Sequence, residues 1–285
     1  MTGPSLLIIG SGDLGQRVSA TLLQQHWRIG AVRRYPPEST GRIDWFAADY
    51  TVPGSLAFAR DWQPDYVLAS LTPAGRDPSG YRRGFADAAD NLVQGLGDHR
   101  LQHLFMVSST RVYAERDGGW VSEDSPLSTA DERAVAIIEA ERHLLQSGHP
   151  TTIVRCGGVY GAVPGRLVDK VARGQVAPAE PRRYTNRIHR DDAAGFLTHL
   201  LLACEAGQTP ASVYNCVDDN PAPAHDVESW LADTLGISVK NGAGDAAAAP
   251  AFHKRCSNQR LRDSGYQLRY PDYRAGYSQV IEASR

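Results

Sequence analysis

Gly10, Gly12 and Gly15 stand at the G-x-G-x-x-G spacing directly after the apolar run Leu6-Leu7-Ile8-Ile9. In a turn from strand to helix each glycine has separate work. Gly10 permits the tight turn, Gly12 lets the backbone approach a pyrophosphate, and Gly15 lets the new helix lie close on the strand. The free N–H groups of the helix start then face the phosphates. Asp13 and Leu14 complete this turn, and about 20 residues farther on a site that prefers NAD carries Asp or Glu for the ribose hydroxyls. Arg33 and Arg34 stand there instead. A guanidinium can take a 2′-phosphate through two parallel hydrogen bonds, so the expected cofactor is NADP, with NAD as the alternative. The plainer reading of the pair is two solvated arginines at a strand end.

Other residues could line or work the same groove. Asp49 suits either an adenine contact or a turn cap. Leu71 and Thr72 lie in the small-residue loop 70–75, and Ser108-Ser109-Thr110-Arg111-Val112-Tyr113 follows a later apolar run. Ser109, Tyr113 and Tyr160 are the candidate acid–base groups. His189 has a suitable intrinsic pKa, against the reading of a satisfied structural histidine. Asp191 and Asp192 read as helix caps. Arg166, Arg182, Arg183 and Arg187 could form an anion-binding rim or a solvated cluster. No spacing resembles a zinc site or a nucleophilic triad.

Alternating strands and helices must position these groups. Strands are expected at 6–9, 28–32, 43–46, 66–68, 101–107 and 151–155. Helices are expected after Gly12 with Leu14, Val18 and Leu22 inward, from about 52–53, through 85–93, and over 132–146. Such alternation specifies a doubly wound parallel sheet, an α/β fold, with pockets beyond the carboxyl ends of its strands. After Gly165 the pattern loosens. A helix over 166–173 leads to a proline- and arginine-rich segment, an alanine-rich helix after Asp192, a strand at 213–217 and a helix over 227–235. A mobile stretch at 241–250 and a terminal lobe at 261–277 complete the chain.

The 285 residues carry a net charge of −2, which gives no general attraction to nucleic acid or anionic lipid. Lysine occurs only at Lys170, Lys240 and Lys254, so the first 169 residues have none. Cys156, Cys204, Cys216 and Cys256 are widely spaced and read as reduced thiols. No stretch reaches the roughly 18 apolar residues of a membrane span, and no signal peptide is evident. A cytoplasmic monomer or homodimer acting on a small molecule, without nucleic-acid or membrane partners, is the expectation.

The chain resembles the extended and atypical short-chain dehydrogenase/reductases, the NAD(P)-dependent epimerase/dehydratase family. The resemblance rests on Gly10 to Gly15, on Ser108 to Tyr113, on Arg155 to Gly161, on Ile188-His189-Arg190-Asp191-Asp192, and on Val213 to Asp219. It implies a Rossmann domain from 1–160 plus about 186–220, with a smaller substrate lobe from about 161–185 plus 221–285. It also implies that Ser109 orients the substrate, and that a Tyr-x-x-x-Lys pair should follow. Counted back from Ala140-Glu141, those two positions fall on Arg133 and Ile137. No tyrosine lies between Tyr113 and Tyr160, and no lysine precedes Lys170, so no change of register restores the pair. The glycine loop is also one residue shorter than in extended members. Two functions follow: an oxidoreductase or epimerase with altered acid–base residues and an unknown, sugar-nucleotide-like substrate, or a non-catalytic protein that senses NADP(H).

Overall fold

The computed structural model describes residues 3–38, 41–163, 165–239 and 253–284. The described residues fall into two compact units. The first is drawn from Met1–Tyr113, Leu127–Arg155 and Ala194–Tyr214, and the second from Ala114–Pro126, Cys156–Ala193 and Asn215–Arg285.

A seven-stranded sheet organises the first unit. Its strands are β1 (Ser5–Ile9), β2 (Arg28–Arg33), β3 (Ile43–Ala47), β4 (Tyr66–Ala69), β5 (His103–Ser109), β6 (Thr151–Cys156) and β7 (Val213–Cys216). They lie in the order β7-β6-β5-β4-β1-β2-β3. β1 is parallel to both neighbours, with Ile9 opposite Val32 on one side and Ala69 on the other. Leu6, Leu7, Ile8 and Ile9 are all wholly buried, as a strand covered on both faces requires. The order reverses at β1, so the crevice for a ligand opens beyond the carboxyl ends of β1 and β4.

The helices follow from caps and spacing. α1 (Asp13–Gln24) buries Gly15, Val18, Ser19 and Leu22 on one face. α2 (Pro78–Arg82) starts earlier than sequence periodicity suggests, because Asp77 caps it and accepts from the Gly80 N–H at 3.1 Å. It continues through a π-helical turn at Arg83–Asp87 into α3 (Ala88–Leu96). Asp131 caps α4 (Glu132–Leu145) through the Arg133 N–H at 3.1 Å. α5 (Arg190–Glu205) is the alanine-rich helix. The helix expected from 52–53 does not form there. Gly54 has φ +77°, outside the helical range, and the chain turns until a single helical turn at Ala59–Trp62. β5 runs two residues beyond the expected end and takes in Ser108 and Ser109.

The second unit has small paired strands instead of an open sheet. Gly158–Tyr160 pairs with Arg187–His189, and Tyr184–Thr185 with Ala222–Pro223. Asp117–Val121 pairs with His253–Cys256. This last pair brings 114–126 into the second unit, whereas sequence alone assigns it to the Rossmann domain. Val171, Val227, Leu231, Tyr273, Tyr277 and Val280 form the unit's core. The expectation for 241–250 lies outside the described residues. Among the described residues, no helix is long and apolar enough to cross a membrane.

Asp192 corrects an expectation. It lies in the first turn of α5, but its wholly buried carboxylate caps no helix. It accepts from the N–H groups of Arg269 and Tyr270 at 2.7 and 2.9 Å and from the Tyr266 hydroxyl at 3.2 Å. One side chain thus fastens the C-terminal segment. Asp192→Ala would leave two backbone donors unpaired, and a loss of about 2–5 kcal/mol is expected in urea unfolding, with Asp192→Asn losing less. An unchanged midpoint in Asp192→Ala would show that the segment is held by packing alone.

Candidate cofactor site

The three glycines do separate work in the folded turn. Gly10 has φ +79°, and a side chain there would collide with the Ser70 carbonyl oxygen. The turn is tied on both sides: the Ser11 N–H donates to Val32 O at 3.0 Å, and the Ser70 N–H donates to Ile9 O at 2.9 Å. At Gly15 a Cβ would lie 2.9 Å from Ile8 Cγ2, so glycine is what lets α1 rest on β1. Gly12 differs from both. A Cβ there would meet no atom within 4 Å, and no side chain caps α1 at this residue. The helix start therefore faces open space, which suits an incoming pyrophosphate. Asp13 is spent on Arg17 at 3.1 Å, and Leu14 is half-buried.

β2 ends at the arginine pair. Arg33 is half-buried and Arg34 exposed, and neither guanidinium is engaged in a hydrogen bond or ion pair among the described residues. Asp49 lies within the field of Arg34, but its Oδ1 is taken by the Thr51 N–H at 3.0 Å and the Thr51 hydroxyl at 2.7 Å. Burial works to raise its pKa. The bonds from Thr51 and the charge of Arg34 outweigh that and hold it below the ordinary carboxylate value. The turn-cap reading of Asp49 is thus realised in the geometry.

The loop after β4 forms the opposite wall. Leu71 is buried. The Thr72 N–H donates to the Tyr50 hydroxyl at 3.2 Å, and Thr72 Oγ1 lies 3.1 Å from the same oxygen. Asn91 donates to Tyr50 O at 3.0 Å, so a tyrosine that sequence reading passed over holds the loop to the body of the unit. Nothing in its spacing marks it.

The acid–base candidates are placed less favourably. Ser108 is buried and donates to Glu141 Oε1 at 2.5 Å. Arg155 meets the same carboxylate twice, Nη2 to Oε2 at 2.7 Å and Nε to Oε1 at 3.1 Å. Burial works against the Arg155 charge, and Glu141 more than offsets it, so the guanidinium stays protonated. Its Nη1 donates to the Tyr113 hydroxyl at 3.2 Å, and Tyr113 is only 2% exposed. The Ser108 hydroxyl and the Tyr113 phenol thus belong to a buried polar network. Ser109 is half-buried, and its oxygen accepts from the Arg111 N–H at 3.2 Å. On α4, Ile137 is buried while Arg133 is half-exposed.

Tyr160 and His189 belong to the second unit. The Tyr160 hydroxyl is buried without a hydrogen-bond partner among the described residues, and burial, reinforced by Asp218, pushes its pKa far up. Burial pushes His189 below its ordinary value, and its Nδ1 accepts from the Asp191 N–H at 3.2 Å. The Asp191 carboxylate lies 3.7 Å from the His189 ring. The four arginines read as a rim or a solvated cluster are placed differently from one another. Arg166, Arg182 and Arg183 are exposed, but Arg187 is buried and donates to the Thr185 hydroxyl.

Comparison with known proteins agrees with this geometry. A family model described as NAD(P)H-binding matches residues 10–203. A protein of Methylobacillus flagellatus, provisionally named a NAD-dependent epimerase/dehydratase, is 32% identical, with 99% of each chain covered and a TM-score of 0.83. The chain belongs to the NAD(P)H-binding epimerase/dehydratase family. Another family relative, protein YeeZ of Escherichia coli K12, is 28% identical over 289 residues, covering 93% of this chain and 96% of YeeZ. The fold extends to human epimerase family protein SDR39U1, solved with NADPH, at 18% identity and a TM-score of 0.73, with 98% and 99% of the two chains covered.

Membership and the open space at Gly12 together define a test. Gly12→Val places its side chain where no protein atom stands, so circular dichroism and thermal unfolding should stay close to wild type while cofactor binding is lost. Calorimetric binding of NADPH and NADH by a folded Gly12→Val protein would show that the turn holds no pyrophosphate.

Proposed function

We propose that this protein is an NADP(H)-dependent oxidoreductase or epimerase that works without the family's Tyr-x-x-x-Lys pair. The observation that carries the NADP reading is the arginine pair. Both guanidiniums stand uncommitted at the end of β2, on the side where the adenosine ribose would lie. A carboxylate there would repel a 2′-phosphate, whereas a guanidinium fork attracts it. When bound, the cofactor supplies a hydride to give or accept.

The chain's own residues provide binding and orientation. Gly12 and the start of α1 receive the pyrophosphate, Arg33 and Arg34 the 2′-phosphate, and Leu71 with Thr72 lines the groove. The Ser109 oxygen accepts from the Arg111 N–H, which leaves its own proton for a substrate oxygen. Tyr113 and Tyr160 are poor proton donors, one fixed by Arg155 and the other buried with a raised pKa. The same facts favour a second reading, in which the protein binds NADP(H) and reports its occupancy without turnover. A cytoplasmic protein acting on a small molecule, as monomer or homodimer, fits either reading. The division of labour between a nucleotide unit and a substrate lobe is part of the proposal.

Calorimetry with NADPH and NADH tests the cofactor assignment. NADPH should bind more tightly, and Arg33→Ala with Arg34→Ala should weaken NADPH by about 10- to 100-fold while changing NADH little. Equal affinities in the wild type would contradict it. Sustained loss of absorbance at 340 nm with a panel of carbonyl compounds would then select the enzyme over the sensor.

A further inference from the structure

Arg133 stands where the family would place its proton-exchanging tyrosine, and its surroundings suit a different task. Its guanidinium lies 5.8 Å over the ring of Tyr81 on α2, and the guanidinium of Arg111 lies at the same distance from that ring. Arg111 has a counterion, since its Nε is 3.0 Å from Asp131 Oδ2. Asp131 is occupied twice over, because its other oxygen caps α4. Among the described residues Arg133 has no carboxylate and no hydrogen-bond acceptor for its guanidinium, although it is half-buried. The Tyr81 hydroxyl is likewise without a hydrogen-bond partner among the described residues, and the residue is half-exposed.

Two cations thus share one aromatic ring with one carboxylate between them. Ring faces attract cations, but a partly desolvated guanidinium without an anion remains under-compensated. The planar fork of arginine is also matched to oxyanions in a way that a lysine ammonium is not. The cluster is placed for a ligand. α2 follows the loop from β4, one of the two strands that bound the crevice, and Arg111 directly follows β5, the strand beside it.

We propose that Arg133, with the Tyr81 hydroxyl, binds an oxyanion group of the substrate, a carboxylate or a phosphate. The inference rests on the reading of the neighbouring groove as an NADP(H) site, and it names a substrate class for that site. The site loses a proton donor at this position and gains an anchor for negative charge. An unmodified neutral sugar or simple ketone would leave Arg133 unpaired, whereas an acidic substrate would complete it.

The test follows arginine Nε–Hε resonances in 15N–1H spectra of the full-length protein, with and without NADPH, during separate titrations with inorganic phosphate and malonate. The Arg133 signal is assigned by its absence in Arg133→Gln. It should shift saturably with at least one anion. Phosphate alone would identify a phosphoryl group, malonate alone a carboxylate, and both a general oxyanion site. Calorimetry of the same additions should show about a tenfold loss of affinity in Arg133→Gln, a smaller loss in Arg133→Lys and in Tyr81→Phe, and unchanged NADPH binding. No saturable shift of the Arg133 signal, or equal affinity in wild type and Arg133→Gln, would overturn the proposal. Failure of the cofactor reading would look different: NADPH would give no heat while the anion titration remained saturable.

Discussion

The close approach of the Ser70 carbonyl to Gly10, where no side chain could fit, shapes the carboxyl edge of the sheet in the first unit. β1 is the strand at which the sheet order reverses, and the loops leaving β1 and β4 must diverge far enough to admit a dinucleotide yet stay in register. The absence of a side chain at Gly10 allows the closest approach, and the bonds from Ser11 to Val32 and from Ser70 to Ile9 fix it on either side. The turn therefore presents Gly12 and the start of α1 outward. Tyr50 then sets the height of the opposite wall through Thr72.

A second constraint explains why the candidate hydroxyls divide as they do. Glu141 is 2% exposed and Arg155 4% exposed, and either charge alone would be costly at that depth. Together, with Ser108 and Tyr113 filling the remaining hydrogen-bonding positions, they form a satisfied cluster between β5, α4 and β6. The cluster orients α4 against the sheet. It thereby sets which α4 residues turn inward, Ile137 among them, and leaves Arg133 in the first turn half-exposed. One turn before Ile137, Arg133 stands beside the ring of Tyr81.

Much of the fold was legible because it depends on local pattern. The unbroken apolar run of β1, the three glycines and the four-residue spacing of Leu14, Val18 and Leu22 each impose one outcome. The place of Arg33 and Arg34 at the end of β2 was legible for the same reason, since that end lies at a fixed distance from the glycine turn. What sequence could not reveal was pairing between distant residues. Asp192 looks like a cap, but its partners are 74–78 residues away. Glu141 and Arg155 are 14 apart, and neither has a local signature. The strand Asp117–Val121 is short and rich in glycine, and becomes a strand only because His253–Cys256 lies beside it. Tyr113 stood among the acid–base candidates because exposure is a tertiary property that sequence does not show.

The most direct measurement of the central claim is hydrogen–deuterium exchange of the full-length protein with and without NADPH. Slowed exchange should concentrate in three segments, the turn from Gly10 into the first turn of α1, the end of β2 at Arg33 and Arg34, and the loop 70–75. These segments are far apart in sequence, and one bound dinucleotide across the β1–β4 crevice would protect them together. Protection confined to the second unit, or none in the Gly10 turn at saturating NADPH, would contradict the placement of the cofactor on this edge of the sheet.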